Sequence, residues 1–193
     1  MDKPWYRRMF SHQQESVEPV RGTVQARADA GEAEAQFSLG LKYANGAGEA
    51  QDYLQAAEWY LKAARQNHCM AQFNLGMMYT KGQGVPQNED SAVAWILKAA
   101  NQGDAGAQYV LGIKFLRRSF EETETDAVES KIEAYKWLHL STAQGYQGSQ
   151  SALHSVIFGM TREAVTLGNQ RAASFLTGHS PEQTDQKAPA SLE

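Results

Sequence analysis

From Ala35 to Gln144, apolar residues recur three and four positions apart, and the recurrence itself repeats. AQFSLGLKYANG from Ala35 returns as AQFNLGMMYTKG from Ala71 and as AQYVLGIKFLRR from Ala107, two steps of 36 residues. Spacing of this kind lines an apolar stripe along a helix. In the first copy Ala35, Phe37, Leu39, Gly40, Leu41, Tyr43 and Ala44 cover most of the helical wheel and leave a narrow polar strip, which predicts a helix packed on nearly all sides. A turn follows, Gly46-Ala47-Gly48 in one copy and Gly82-Gln83-Gly84-Val85-Pro86 in the next. Glycine permits positive φ there and proline blocks helix continuation. The second segment reads QAAEWYLKAARQN from Gln55, SAVAWILKAANQG from Ser91 and IEAYKWLHLSTAQG from Ile132, with Trp59, Trp95 and Trp137 in register as core anchors.

A unit of this length cannot bury its own apolar face and must stack on its neighbours. The expected fold class is all-α: an α-solenoid. Units fall at about 35–70, 71–106 and 107–148, with capping helices at 20–30 and 149–177, the last starting from a Thr161 N-cap. Residues 1–19 and 178–193 show no periodicity and read as disordered tails. Asn67, Gly103 and Gly145 end the second helices and Gly31 stands 36 residues before Asn67; all four tolerate the left-handed conformation of a helix C-terminus. The third unit departs from the pattern. Trp95 to Trp137 spans 42 residues, Arg118 replaces the turn glycine, and SFEETETDAVES reads as an extended acidic loop.

Composition narrows the function more than the fold. Of 193 residues, 42% are hydrophobic, enough for a core, and the formal charge is −4. A net acidic chain lacks the clustered basic surface that phosphate binding requires, so nucleic acid is not the expected partner. The single Cys69 makes no internal disulfide. The start, MDKPWYRRMFSHQQES, has Lys3, Arg7 and Arg8 but no apolar run after them, so neither a signal peptide nor a membrane span is expected, and the location reads as cytoplasmic.

The motifs AQFxLGxxYxxGxGVxxN and AxxWxxKAAxQGxxxAQ resemble those of the Sel-one-like repeat, a relative of the tetratricopeptide repeat, over about Gly22 to Leu176. The resemblance implies a tetratricopeptide-like right-handed superhelix of antiparallel helix pairs, and an interaction scaffold or adaptor of bacterial signalling, stress or virulence regulation, with no shared catalytic residues. Alternatives are an envelope or immunity-type inhibitor that covers an effector enzyme, and a beta-lactamase-like hydrolase of the family's cysteine-rich branch. The single cysteine departs from that branch.

A solenoid of this type binds through the concave face lined by its first helices, where the polar strip falls at Ser38, Lys42 and Asn45, at Asn74, Met78 and Lys81, and at Val110, Lys114 and Arg117. Stacked, these make a basic strip with two apolar members, suited to a protein or peptide bearing carboxylates. Met78, Val110 and Tyr109 are the expected anchors. His68 beside Cys69 has no second ligand at metal spacing and reads as structural, as do His139 and His154. Glu121, Glu122, Glu124, Asp126 and Glu129 match no calcium loop. No nucleophile-base constellation, phosphate loop or paired carboxylate set is present, so no catalytic residue, metal or cofactor is expected.

Overall fold

Most of the described helix starts in the computed structural model carry a side-chain cap that the local sequence supplies. The structure describes residues 23–46 and 50–178. Helix α1 (Val24–Asp29) is capped by Thr23, and α2 (Ala33–Asn45) follows it. Asp52 accepts the amide hydrogens of Leu54 and Gln55 at the start of α3 (Tyr53–Arg65), and His68 Nδ1 accepts that of Ala71 at the start of α4 (Cys69–Lys81). Asn88 and Asp104 do the same for α5 (Glu89–Asn101) and α6 (Ala105–Arg118). Each such cap stabilises by about 1 kcal/mol. The chain continues through α7 (Glu124–Ala143), α8 (Ser149–Phe158) and α9 (Arg162–Gly178), with Thr161 accepting the Ala164 amide. Gly31, Asn67, Gly103 and Gly145 all have positive φ, as their place after each helix requires.

The helices pack in the order of a solenoid: α2 on α3, α4 on α5 and α6 on α7 within units, then α3 on α4, α5 on α6 and α7 on α8 between them. Leu75, Ile96, Leu111 and Leu138 are at most 1% exposed, each contributing about 1.5 to 3 kcal/mol of transfer free energy. Close approach within a unit rests on glycine. A Cβ on Gly76 would lie 2.6 Å from Ile96 Cγ1 and 3.1 Å from the Ala92 carbonyl oxygen. Trp59 and Trp137 are buried as expected, whereas Trp95 is half-buried with Lys98 Nζ 4.1 Å from its ring centroid.

A polar ladder crosses the apolar joints. Gln36, Gln72 and Gln108 are buried, and each Nε2 donates to a carbonyl of the preceding unit, at Ala28, Ala64 and Ala100. Each Oε1 then accepts from the amide of Gln66, Gln102 or Gln144, at 2.8, 2.7 and 2.9 Å. A buried amide is tolerated only when partnered, so each rung ties two units together at a fixed register.

Two expectations need correction. The acidic insertion is mostly helix: α7 has 20 residues against 13 in α3 and α5, and only residues 119–123 form the turn. Thr123 and Asp126 have capping-box spacing, the Thr123 hydroxyl donates to Asp126 at 2.8 Å, and Glu124 with Asp126 place negative charge on the first turn. The final two helices also fail to form a pair like the others. Both seat on α7. Gly168 lies against the Tyr135 ring, Phe175 meets Trp137 edge-on at 5.4 Å between centroids, and Arg171 bonds Glu133 at 2.6 Å and Glu129 at 2.5 Å. The expected tails, Gly178 aside, lie outside the described residues, as do Ala47 and Gly48 of the first turn.

Candidate partner-binding surface

The nine strip residues fall into three rows, because residues 36 apart occupy the same place on successive first helices. Ser38, Asn74 and Val110 form the innermost row and are half-buried. The Ser38 hydroxyl donates to the Glu34 carbonyl at 2.9 Å, and Val110 packs beside the cluster of Ile96, Leu111 and Trp137. Burial pushes the pKa of the Tyr60 phenol up, and the Asn74 side chain opposes the rise. In the middle row Lys42 is half-buried, and Lys114 reaches Glu89 at 2.7 Å with its side chain 15% exposed. Met78, expected to anchor a partner, is instead 5% exposed and packs with Tyr60 and Leu75 in the core. Burial of its thioether chain against those groups leaves it no contact to offer.

The outer row, Asn45, Lys81 and Arg117, is exposed. These residues stand in the last turns of α2, α4 and α6, where a cation also gains about 0.3 to 1 kcal/mol from the helix dipole. Lys81 and Arg117 have no ion-pair partner among the described residues. Next to Arg117 a groove of about 410 Å³ runs between the start of α5 and the end of α6. Val93, Leu111 and Phe115 line it, with Lys114, Arg117 and Glu121 among its charged residues.

The remaining candidates have structural employment. Tyr109, the third expected anchor, is half-buried against Tyr146 at 5.3 Å. His68 caps α4 through Nδ1, meets Glu34 at 3.0 Å through Nε2 and stacks on Phe37 at 4.5 Å. The Cys69 thiol is half-buried, and burial together with Asp104 pushes its pKa up, the opposite of what a nucleophile needs. Of the acidic residues, Glu122, Asp126 and Glu129 are engaged within the protein. Glu122 accepts from Ser130 at 2.5 Å and from Arg118, which holds it below the usual carboxylate range, and Arg171 takes Glu129 and Glu133. Among the described residues no group of three or more His, Cys, Asp or Glu could hold a metal, and no helix is long and apolar enough to cross a membrane. His139 stacks on Tyr135 and His154 is exposed.

Comparison with known proteins agrees with this architecture. The Sel1 repeat family matches residues 33–68, 69–104 and 105–146. A protective antigen of uropathogenic Escherichia coli with an SLR fold superposes with a TM-score of 0.69 at 25% identity, over 88% of this chain and 36% of the other. The chain thus spans about a third of that protein's length. A Sel1 repeat protein from Oxalobacter formigenes superposes with a TM-score of 0.55 at 31% identity, over 68% of this chain and 95% of the other. No curated protein matches at significant similarity. Sel1 repeat proteins generally act as protein-interaction scaffolds, typically without catalysis. Three in-phase matches over stacked helix pairs place the chain in the Sel1 repeat family.

Proposed function

We propose that the chain is a non-enzymatic scaffold or adaptor, of bacterial signalling, stress or virulence regulation, that holds a partner protein through the outer row of its first helices. The observation that carries this reading is the exposure of Asn45, Lys81 and Arg117 at one register on three stacked helices, with both cations unpaired among the described residues. A rigid line of this kind donates charge-assisted hydrogen bonds to the carboxylates of an acidic segment, steers its approach, and requires no rearrangement of the solenoid. Lys114 serves differently, since its bond to Glu89 is part of the fold.

The test is affinity capture with the unmodified chain and a Lys81→Glu, Arg117→Glu variant of equal helicity. Loss of a specific protein from the variant alone supports the reading. Identical captured sets would refute it, because reversing two charges in a contact row cannot leave an acidic partner bound equally well.

A further inference from the structure

The groove beside Arg117 has a filled counterpart one unit earlier. By the 36-residue register, Glu89 stands where Tyr53 stands, Lys114 where Met78 stands, Arg118 at the place of Gly82, and Glu121 at the place of Val85. In the second unit those positions form a closed joint. The turn after α4 runs so near the start of α3 that a Cβ on Gly84 would lie 2.0 Å from the Tyr53 carbonyl oxygen, and the half-buried Val85 packs, like Tyr53, against the core cluster that holds Met78. The turn is a plug, and Val85 is its apolar tip.

The third unit has no such plug. Helix α6 continues through Arg118, the turn is only residues 119–123, and Phe120, at the place of Gly84, is 77% exposed. No aliphatic side chain descends at the place of Val85, and the 410 Å³ groove over Val93, Leu111 and Phe115 stays open. On its rim Lys114 is tied to Glu89 and Arg118 to Glu122, so Arg117 is the cation left to an incoming group.

We propose that this groove docks a short turn or extended segment of a partner protein that supplies an aliphatic side chain where Val85 sits one unit earlier, with a carboxylate beside it for Arg117. The inference rests on the scaffold reading and names the chemistry of the segment. Asp90 and Glu121, which also line the groove, select against segments with further negative charge.

The probe is the chain's own plug as a free peptide, residues 82–88, GQGVPQN. Titrated into the full chain labelled with ¹⁵N, it is expected to shift the amide signals of Val93, Leu111 and Phe115 saturably, with a dissociation constant on the order of 1 mM for so small a ligand. The Val85→Asp peptide is expected to shift nothing. A Gln87→Glu peptide should bind about threefold tighter, and that gain should vanish against an Arg117→Gln protein. Ala94 is exposed in the groove wall, so Ala94→Trp should abolish the shifts without altering helicity.

Absence of saturable shifts up to about 10 mM, tenfold above the expected constant, or equal shifts in the Ala94→Trp protein, would overturn the proposal. A partner captured through Lys81 and Arg117 yet indifferent to Ala94→Trp would also overturn it while leaving the scaffold reading intact.

Discussion

Replacing Gln72 with methionine isolates the polar ladder from the packing around it. Gln72 is 1% exposed, donates to the Ala64 carbonyl at 3.1 Å and accepts from Gln102 at 2.7 Å. Methionine keeps the unbranched shape and most of the volume, so little cavity opens and the change is mainly in hydrogen bonds. Two such bonds contribute about 1 kcal/mol each, and the Gln102 amide loses its acceptor at a further cost of about 1 kcal/mol. The Ala64 carbonyl keeps its bond from the Asn67 amide and adds no penalty. Against this stands the gain from burying an apolar group in place of an amide, about 1 kcal/mol. The expected net loss is about 2 kcal/mol, read from urea unfolding followed by circular dichroism. A double-mutant cycle with Gln102→Ala should give a coupling of about 1 kcal/mol. Unchanged stability of Gln72→Met, or additivity within about 0.3 kcal/mol, would refute the claim that the rung joins the units.

Other substitutions address separate parts of the account. Trp137→Ala should cost about 3 to 5 kcal/mol by thermal unfolding, and the half-buried Trp95→Ala clearly less; equal losses would contradict the difference in burial. Gly76→Ala should destabilise by about 1 to 3 kcal/mol, since its Cβ meets Ile96 and the Ala92 carbonyl, and a neutral result would show that α4 and α5 can part without penalty. Glu122 is held low chiefly by the Ser130 hydroxyl, so the folded state binds its proton less readily than the unfolded chain. That contribution is present above the unfolded carboxylate pKa, about 4.3, and is lost as pH falls through the depressed folded value. A carboxyl-carbon titration should show the midpoint rising in Ser130→Ala, and an unmoved midpoint would remove Ser130 as the cause. Burial raises the Cys69 thiol, so iodoacetamide should label it more slowly in the native chain than in urea at the same pH. Equal rates would contradict that assignment.

The periodic parts of this fold were legible in its sequence because they depend on one residue type at one spacing. A positive φ requires glycine or asparagine, and Gly31, Asn67, Gly103 and Gly145 announced it. The ladder was less visible. Gln36, Gln72 and Gln108 interrupt apolar stripes and resemble surface residues until the acceptors eight residues back and the amides 30 or 36 residues ahead are brought together. The same limit applies to Met78, placed on the polar gap of its helix and buried in the cluster of Phe37, Tyr60 and Leu75, against which Val85 of the following turn also packs. The α7 extension carried its own signal, the Thr123 and Asp126 pair, which the density of charge around it obscured. For α9, sequence indicated a helix and an N-cap. Its seat on α7 depends on Gly168, Arg171 and Phe175 meeting residues more than 30 positions earlier. Of the strip, the outer row kept its exposure because helix ends project past their neighbours, while the inner rows were taken up by packing.

Hydrogen exchange of the chain alone and in complex with its captured partner tests the central claim most directly. Burial of the outer row predicts slowed exchange at the last turns of α4 and α6, around Lys81 and Arg117, and along the turn from Ser119 to Thr123, with α3 and the middle of α5 unchanged. Protection confined to the second helices, or to α9, would contradict a partner held by the first-helix edge.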